Sequence, residues 1–147
     1  MPRDFKTILC PTDFSDSSYH ALDYALRFAE FSQGTLIIPH IVYDPVGSGF
    51  VPDMPPLPLD DIRQRAMESL EGLRKTHLED YPNCVFLVEI GDPYAEIMAI
   101  AEQRKADLIV TATHGRTGLQ HLIMGSVAEK IIRHAPCPVF VVRRGIE

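Results

Sequence analysis

No Gly-Lys pair occurs in the 147 residues, so the sequence has no P-loop. Gly47-Ser48-Gly49 runs into Phe50-Val51-Pro52 without completing a GxGxxG turn, and no GxSxG nucleophile elbow is present. Cysteine is scarce: Cys10, Cys84 and Cys137 lie far apart without CxxC spacing, and they read as small packing groups rather than reactive thiols. None of the six histidines falls in an HExxH spacing, so a protein-built metal site has no signal. No apolar run approaches the roughly 18 residues of a spanning helix. The segment from Met1 to Pro11 lacks the apolar core of a signal peptide. Positive charge is in deficit, with 14 Lys and Arg against 20 Asp and Glu and a net charge of −6. That balance argues against nonspecific binding to nucleic acid or to an anionic membrane. The expectation is a soluble, cytoplasmic chain with neither kind of partner.

What is present suits one domain over residues 1–147: 46% of the residues are hydrophobic and 23% charged. Short apolar runs alternate with helical periods. Thr7–Cys10, Leu36–Val42, Cys84–Val88, Asp107–Ala112 and Val139–Val142 read as strands. Between them, Leu22, Ala25, Leu26 and Ala29 recur at helical spacing, with Gly34 expected to close that helix. Ile62, Ala66, Leu70 and Leu73 mark a second helix, Ile97, Ile100 and Ala101 a third, and residues 126–134 a fourth. Asp92 before Pro93 is a side-chain cap followed by a proline at the first helical position. The alternation predicts an α/β fold with an open five-stranded parallel sheet and helices on both faces.

Two segments break the pattern. Residues 44–60 hold five of the twelve prolines and no period, and so form a long loop. Phe50, Val51, Met54 and Leu57 within it would either cover a ligand or pack on the domain. Pro39, inside the second strand, predicts either a bulge or an edge position, because proline cannot donate to the ladder.

The stretch Thr111–Lys130 leaves a strand, passes Gly115 and Gly118, and enters a helix at Gly125-Ser126. Ser126 and Glu129 have the spacing of a capping box. Glycines admit a phosphate close to the backbone and a helix N-terminus offers unpaired amides, so the stretch reads either as a phosphate cradle or as a plain turn before a capped helix. Arg116 is the only cation in the loop, and Mg²⁺ would assist a bound polyphosphate. Pro11-Thr12-Asp13-Phe14-Ser15 follows the first strand in the same way. Ligands of open α/β sheets sit beyond the carboxyl ends of the strands where the order reverses, so the two segments would face one crevice if strands one and four are neighbours. His114 reads as a hydrogen-bonding loop residue rather than a general base, His40 as a strand-end histidine, and His121 and His134 as surface groups.

Several stretches together resemble the universal stress protein family over essentially the whole chain. They are Ile8–Ser15, His40-Ile41-Val42, Gly91-Asp92-Pro93, His114–Gly118, Gly125–Glu129 and Ala135–Val142. The resemblance implies a Rossmann-like, adenine-nucleotide α-hydrolase-like sheet in order 3-2-1-4-5. The nucleotide-binding branch carries Gly-x2-Gly-x9-Gly-[Ser/Thr]; here Gly115, Gly125 and Ser126 match, and Ala112 replaces the first glycine. The implied ligand is ATP or another adenine nucleotide, with Gly115, Gly125, Ser126 and Val127 at phosphates and ribose. Pro11, Thr12 and Asp13 would line it from the first strand, Ile41 would pack near the adenine, and Ala112, His114, Arg116 and Gly118 complete the set. Asp13 would stand near a nucleotide-bound Mg²⁺. The methyl of Ala112 is expected to point toward the ribose and weaken contact without closing the site. The resemblance also implies a homodimer through Val139–Val142 and a regulatory protein partner. A nucleotide-free dimer acting by contact and a slow ATPase using Asp13 and metal are the alternatives.

Overall fold

The computed structural model describes residues 4–44, 52, 53, 55, 57–114 and 124–143. The apolar runs become strands β1 (Thr7–Leu9), β2 (Thr35–Tyr43), β3 (Cys84–Gly91), β4 (Leu108–Ala112) and β5 (Val139–Val142). All pair in parallel, in the order β3-β2-β1-β4-β5. The helices are α1 (Asp16–Ser32), α2 (Leu59–Thr76), α3 (Pro93–Gln103) and α4 (Ser126–His134).

Side-chain alternation along the strands sends neighbouring residues to opposite layers. Ile8, Leu36, Ile38, Leu108 and Val110 pack with Leu22 and Ala25 of α1 and Leu70 and Leu73 of α2. Leu9, Ile37 and Ile109 pack with Ile97 and Ile100 of α3 and Ile131 of α4. Each of the leucine, isoleucine and valine side chains among these contributes about 1.5–3 kcal/mol when fully buried. Cys10 is fully buried in the first layer, and burial pushes its thiol far above the ordinary range. Burial likewise raises the half-buried Cys84 thiol.

The caps decide where helices point. Asp92 accepts from the Ala95 amide at 2.9 Å and Pro93 opens α3, as the sequence predicts. Gly34, expected to close α1, does not hold its C-cap: Gln33 takes the left-handed conformation, with φ 53°. Glycine is required one residue later for space, because a Cβ at position 34 would lie 2.7 Å from the Lys6 carbonyl oxygen.

Pro39 is neither at an edge nor in a bulge. Strand β2 lies inside the sheet, and its register with β3 runs unbroken from Leu36↔Cys84 to Tyr43↔Gly91. The Cys10 amide donates to the Ile37 carbonyl and the Thr12 amide to the Pro39 carbonyl, each at 2.9 Å, so residues 37 and 39 face β1. The missing N–H of Pro39 therefore falls opposite Cys10, just beyond the last paired residue of β1. The ladder to β3 loses nothing.

The loop read over 44–60 ends sooner, because α2 begins at Leu59. Phe50, Val51 and Met54 lie outside the described residues, and Leu57 is exposed. Among the described residues no helix is long and apolar enough to cross a membrane. None of their His, Cys, Asp and Glu side chains form a group of three or more that could hold a metal ion.

Candidate functional site

Strands β1 and β4 are neighbours, with Ile8 opposite Leu108 and Leu9 opposite Ile109. From β1 the chain proceeds to β2 on one side, and from β4 to β5 on the other, so the order reverses between them. The residues that follow their carboxyl ends, 10–15 after β1 and 113–114 after β4, stand beside that reversal, where ligands of open α/β sheets bind.

The β1 loop is a closely bonded turn. Phe14 has a φ of 63°, a left-handed conformation that a bulky residue rarely takes. The Phe14 amide donates to the Thr12 hydroxyl at 3.1 Å, and the Ser15 amide to the Asp13 carboxylate at 3.0 Å. Ser15 then caps α1, accepting from the Ser18 amide at 3.2 Å. The Ser18 hydroxyl donates to the Ser15 carbonyl at 2.8 Å, and the Thr12 and Ser18 hydroxyls lie 2.9 Å apart. A serine has a single hydroxyl proton, so the Thr12 hydroxyl donates to Ser18. His40 Nδ1 lies 2.9 Å from the Thr12 carbonyl oxygen, and the His40 and Phe14 ring centroids are 4.5 Å apart. Thr12 is thereby buried, with its amide, carbonyl and hydroxyl all engaged. Pro11 and Asp13 remain half-buried at the mouth. Ile41 lies half-buried near the carboxyl end of β2 and packs toward the α3 and α4 layer.

At the β4 end the chain makes a clasp. The Thr113 amide donates to the Val142 carbonyl of β5 at 3.1 Å, and the Gly125 amide donates to the Thr113 carbonyl at 2.6 Å. Both ends of the intervening segment are thus held together, although Gly115, Arg116 and Gly118 themselves, with His121, lie outside the described residues. His114 is buried, its Nδ1 3.1 Å from the Thr113 hydroxyl. Ala112 is half-buried and has no positive φ, and its methyl packs with the α1-side layer. The expected capping box does not form: the N-cap of α4 is Gly125, Ser126 is already the first helical residue, and among the described residues no side chain caps the end. Glu129, displaced by one position from the box, pairs instead with Arg133 at 2.9 Å. The first amides of α4, at Ser126, Val127 and Ala128, have no intrahelical acceptor, and no side-chain cap reaches them among the described residues.

The structure therefore brings together Pro11, Thr12 and Asp13 after β1, and Ala112 at the end of β4 with His114, Gly125, Ser126 and Val127 after it, at adjacent strand ends. Spacing does not single out Ser18 and marks His40 only as a strand-end histidine, yet both hold the first loop in shape. A signal for Ser18 was available in the Ser15-x-x-Ser18 pattern; His40 joins the turn across 28 residues of sequence, which no local pattern reveals.

The family model of the universal stress protein family matches residues 4–143. The chain is 35% identical over 141 residues to universal stress protein MJ0531 of Methanocaldococcus jannaschii, covering 95% of this chain and 83% of that protein. Among solved structures, MJ0577 of the same organism superimposes with a TM-score of 0.81 at 27% identity, covering 99% of this chain and 100% of the other. Universal stress protein UspA of Lactobacillus plantarum gives 0.80 at 26% identity, covering 96% and 99%.

Proposed function

The chain belongs to the universal stress protein family, and on that premise we propose that it is an adenine-nucleotide-binding regulatory protein of the cytoplasm, working as a homodimer. The observation that carries the reading is the N-terminus of α4, which the Gly125–Thr113 bond holds beside the β1–β4 reversal and which has no side-chain cap among the described residues. Such an end has a partial positive charge and donors aimed outward, which suits a phosphate. On a chain with a net charge of −6, a polyanion needs that local field. Two proteins of the same fold support the choice of ligand, one solved in complex with cAMP and one, from Archaeoglobus fulgidus, in complex with dAMP.

ATP is the ligand we propose for this chain. Ser126 and Val127 would meet its phosphates with their amides, Gly125 would let them approach, and Ile41 would offer apolar contact to the base. Asp13 would stand near the magnesium ion that accompanies the phosphates, whose role there is to neutralise their charge. No general base or activated nucleophile enters this reading, and its output is a change of state sensed by a regulatory protein partner.

Thermal denaturation with added ATP, AMP or cAMP tests the proposal. A ligand that binds only the folded state, at about 100 times its Kd, stabilises by about 2.7 kcal/mol. For a domain of about 150 residues that raises the Tm by roughly 5–10 °C. Native mass spectrometry of the purified protein supplies the independent reading, in which a retained nucleotide mass is expected. An unchanged Tm with all three ligands, together with a bare protein mass, rejects nucleotide binding.

A further inference from the structure

We infer that His40 is a positioning residue: with Ser18 it holds the left-handed turn at Phe14, and so fixes how Asp13 is presented to the nucleotide. The inference rests on the nucleotide reading for its ligand, but its structural half stands alone. Three observations converge on it. Phe14, a bulky residue, is held at φ 63°, a conformation that persists only where its surroundings over-determine it. Every polar group of Thr12 is committed inside the protein, so this residue braces the turn rather than reaching outward. His40 grips the turn twice, through Nδ1 on the Thr12 carbonyl and through its ring against Phe14.

The direction of each bond follows from the atoms. A carbonyl only accepts, so Nδ1 of His40 carries the proton it shares with Thr12. The Thr12 hydroxyl proton goes to Ser18, leaving its lone pair for the Phe14 amide. Thr12 is fixed from β2 and from α1, and Asp13 follows it directly, half-buried at the mouth with its carboxylate accepting the Ser15 amide. A strained turn between two anchors presents that carboxylate in one orientation, which saves ordering entropy when a ligand arrives.

The test uses the full chain and three variants. His40→Phe keeps a ring against Phe14 and removes the Nδ1 donor. Without ligand, the Phe14 and Ser15 amides should exchange with solvent about tenfold faster in His40→Phe, while Ile37 and Ile109 keep their wild-type rates. ATP affinity by calorimetry should fall about tenfold, and His40→Asn, which retains a side-chain N–H, should recover part of both losses. Tyr81→Phe is the control, since the Tyr81 hydroxyl donates to the Gly34 carbonyl at the other end of the sheet. It should lower the Tm and leave ATP affinity alone. Unchanged exchange in His40→Phe overturns the inference, and faster exchange with unchanged affinity overturns the positioning role. Should His40→Phe fail to fold, Phe14→Gly decides: glycine accepts the left-handed conformation freely but loses the ring contact. Weaker ATP binding by Phe14→Gly then supports the inference, and equal or tighter binding overturns it. A wild type that binds no adenine nucleotide rejects the functional reading by itself, and the exchange rates still decide whether His40 holds the turn.

Discussion

A Cβ at position 125 would lie 3.2 Å from the Thr113 carbonyl oxygen, closer than ordinary contact. The φ of Gly125 is −71°, so the demand for glycine there is spatial rather than conformational. Two crowding partners are in play, the Thr113 backbone and, under the nucleotide reading, a phosphate. Gly125→Ala should cost roughly 1 kcal/mol or more through the first alone, as overpacking does, measured by chemical denaturation. Gly125→Val should in addition abolish the Tm rise with ATP; a full rise in that variant would assign the glycine to Thr113 only. Ala112 calls for a different expectation from the one its motif position suggests. Its methyl packs on the α1 side, whereas Gly125 and Ser126 belong to α4 on the opposite layer. Ala112→Gly should therefore lose roughly 0.5–1 kcal/mol of stability, the entropic penalty of glycine within a strand. Its ATP affinity, by calorimetry, should stay within a few-fold of wild type. A much tighter Ala112→Gly would mean that the methyl does reach the ribose.

Elements were more legible than their ends. The apolar runs near Thr7, Leu36, Cys84, Leu108 and Val139 became the strands, because burial on both faces demands unbroken apolar runs in a parallel sheet. Cap positions were harder, since one residue of slippage changes who does what. Ser126 with Glu129 fits a capping box only if Ser126 stands outside the helix, and it stands inside. That difference is measurable. Ser126→Ala should change stability by less than about 0.5 kcal/mol, whereas Asp92→Ala, at a formed cap, should cost about 1 kcal/mol. Equal losses in denaturant titrations would restore the capping role to Ser126. Pro39 misled for a related reason: whether a proline harms a strand depends on which neighbour its N–H would face, and sequence does not say where that neighbour ends. The loop after β1 was visible as a site segment, yet its shape was not, because its braces come from Ser18 and from His40 on another strand.

For the whole molecule, assembly turns on β5, the strand at one edge of the sheet. The Ile109 amide donates to the Pro138 carbonyl and the Thr113 amide to that of Val142, so even-numbered residues here face β4. By the alternation of a parallel ladder, Val139 and Val141 direct their N–H and C=O groups outward. Phe140 lies over α1, its ring 5.6 Å from Tyr24 and 5.0 Å from Phe28, and still 37% exposed. A short apolar edge of this kind invites pairing, and two copies meeting antiparallel about a twofold axis would satisfy both edges with one repeated contact. We therefore expect the protein to sediment as a dimer at micromolar concentration. Val141→Pro should convert it to a monomer while sparing the fold, since proline is tolerated where the lost N–H faces away from the sheet. Phe140→Pro makes the contrast, because that N–H faces β4 and its loss should lower the Tm whatever the oligomeric state. A wild type that sediments as a monomer, or a Val141→Pro variant that stays dimeric, removes β5 as the interface.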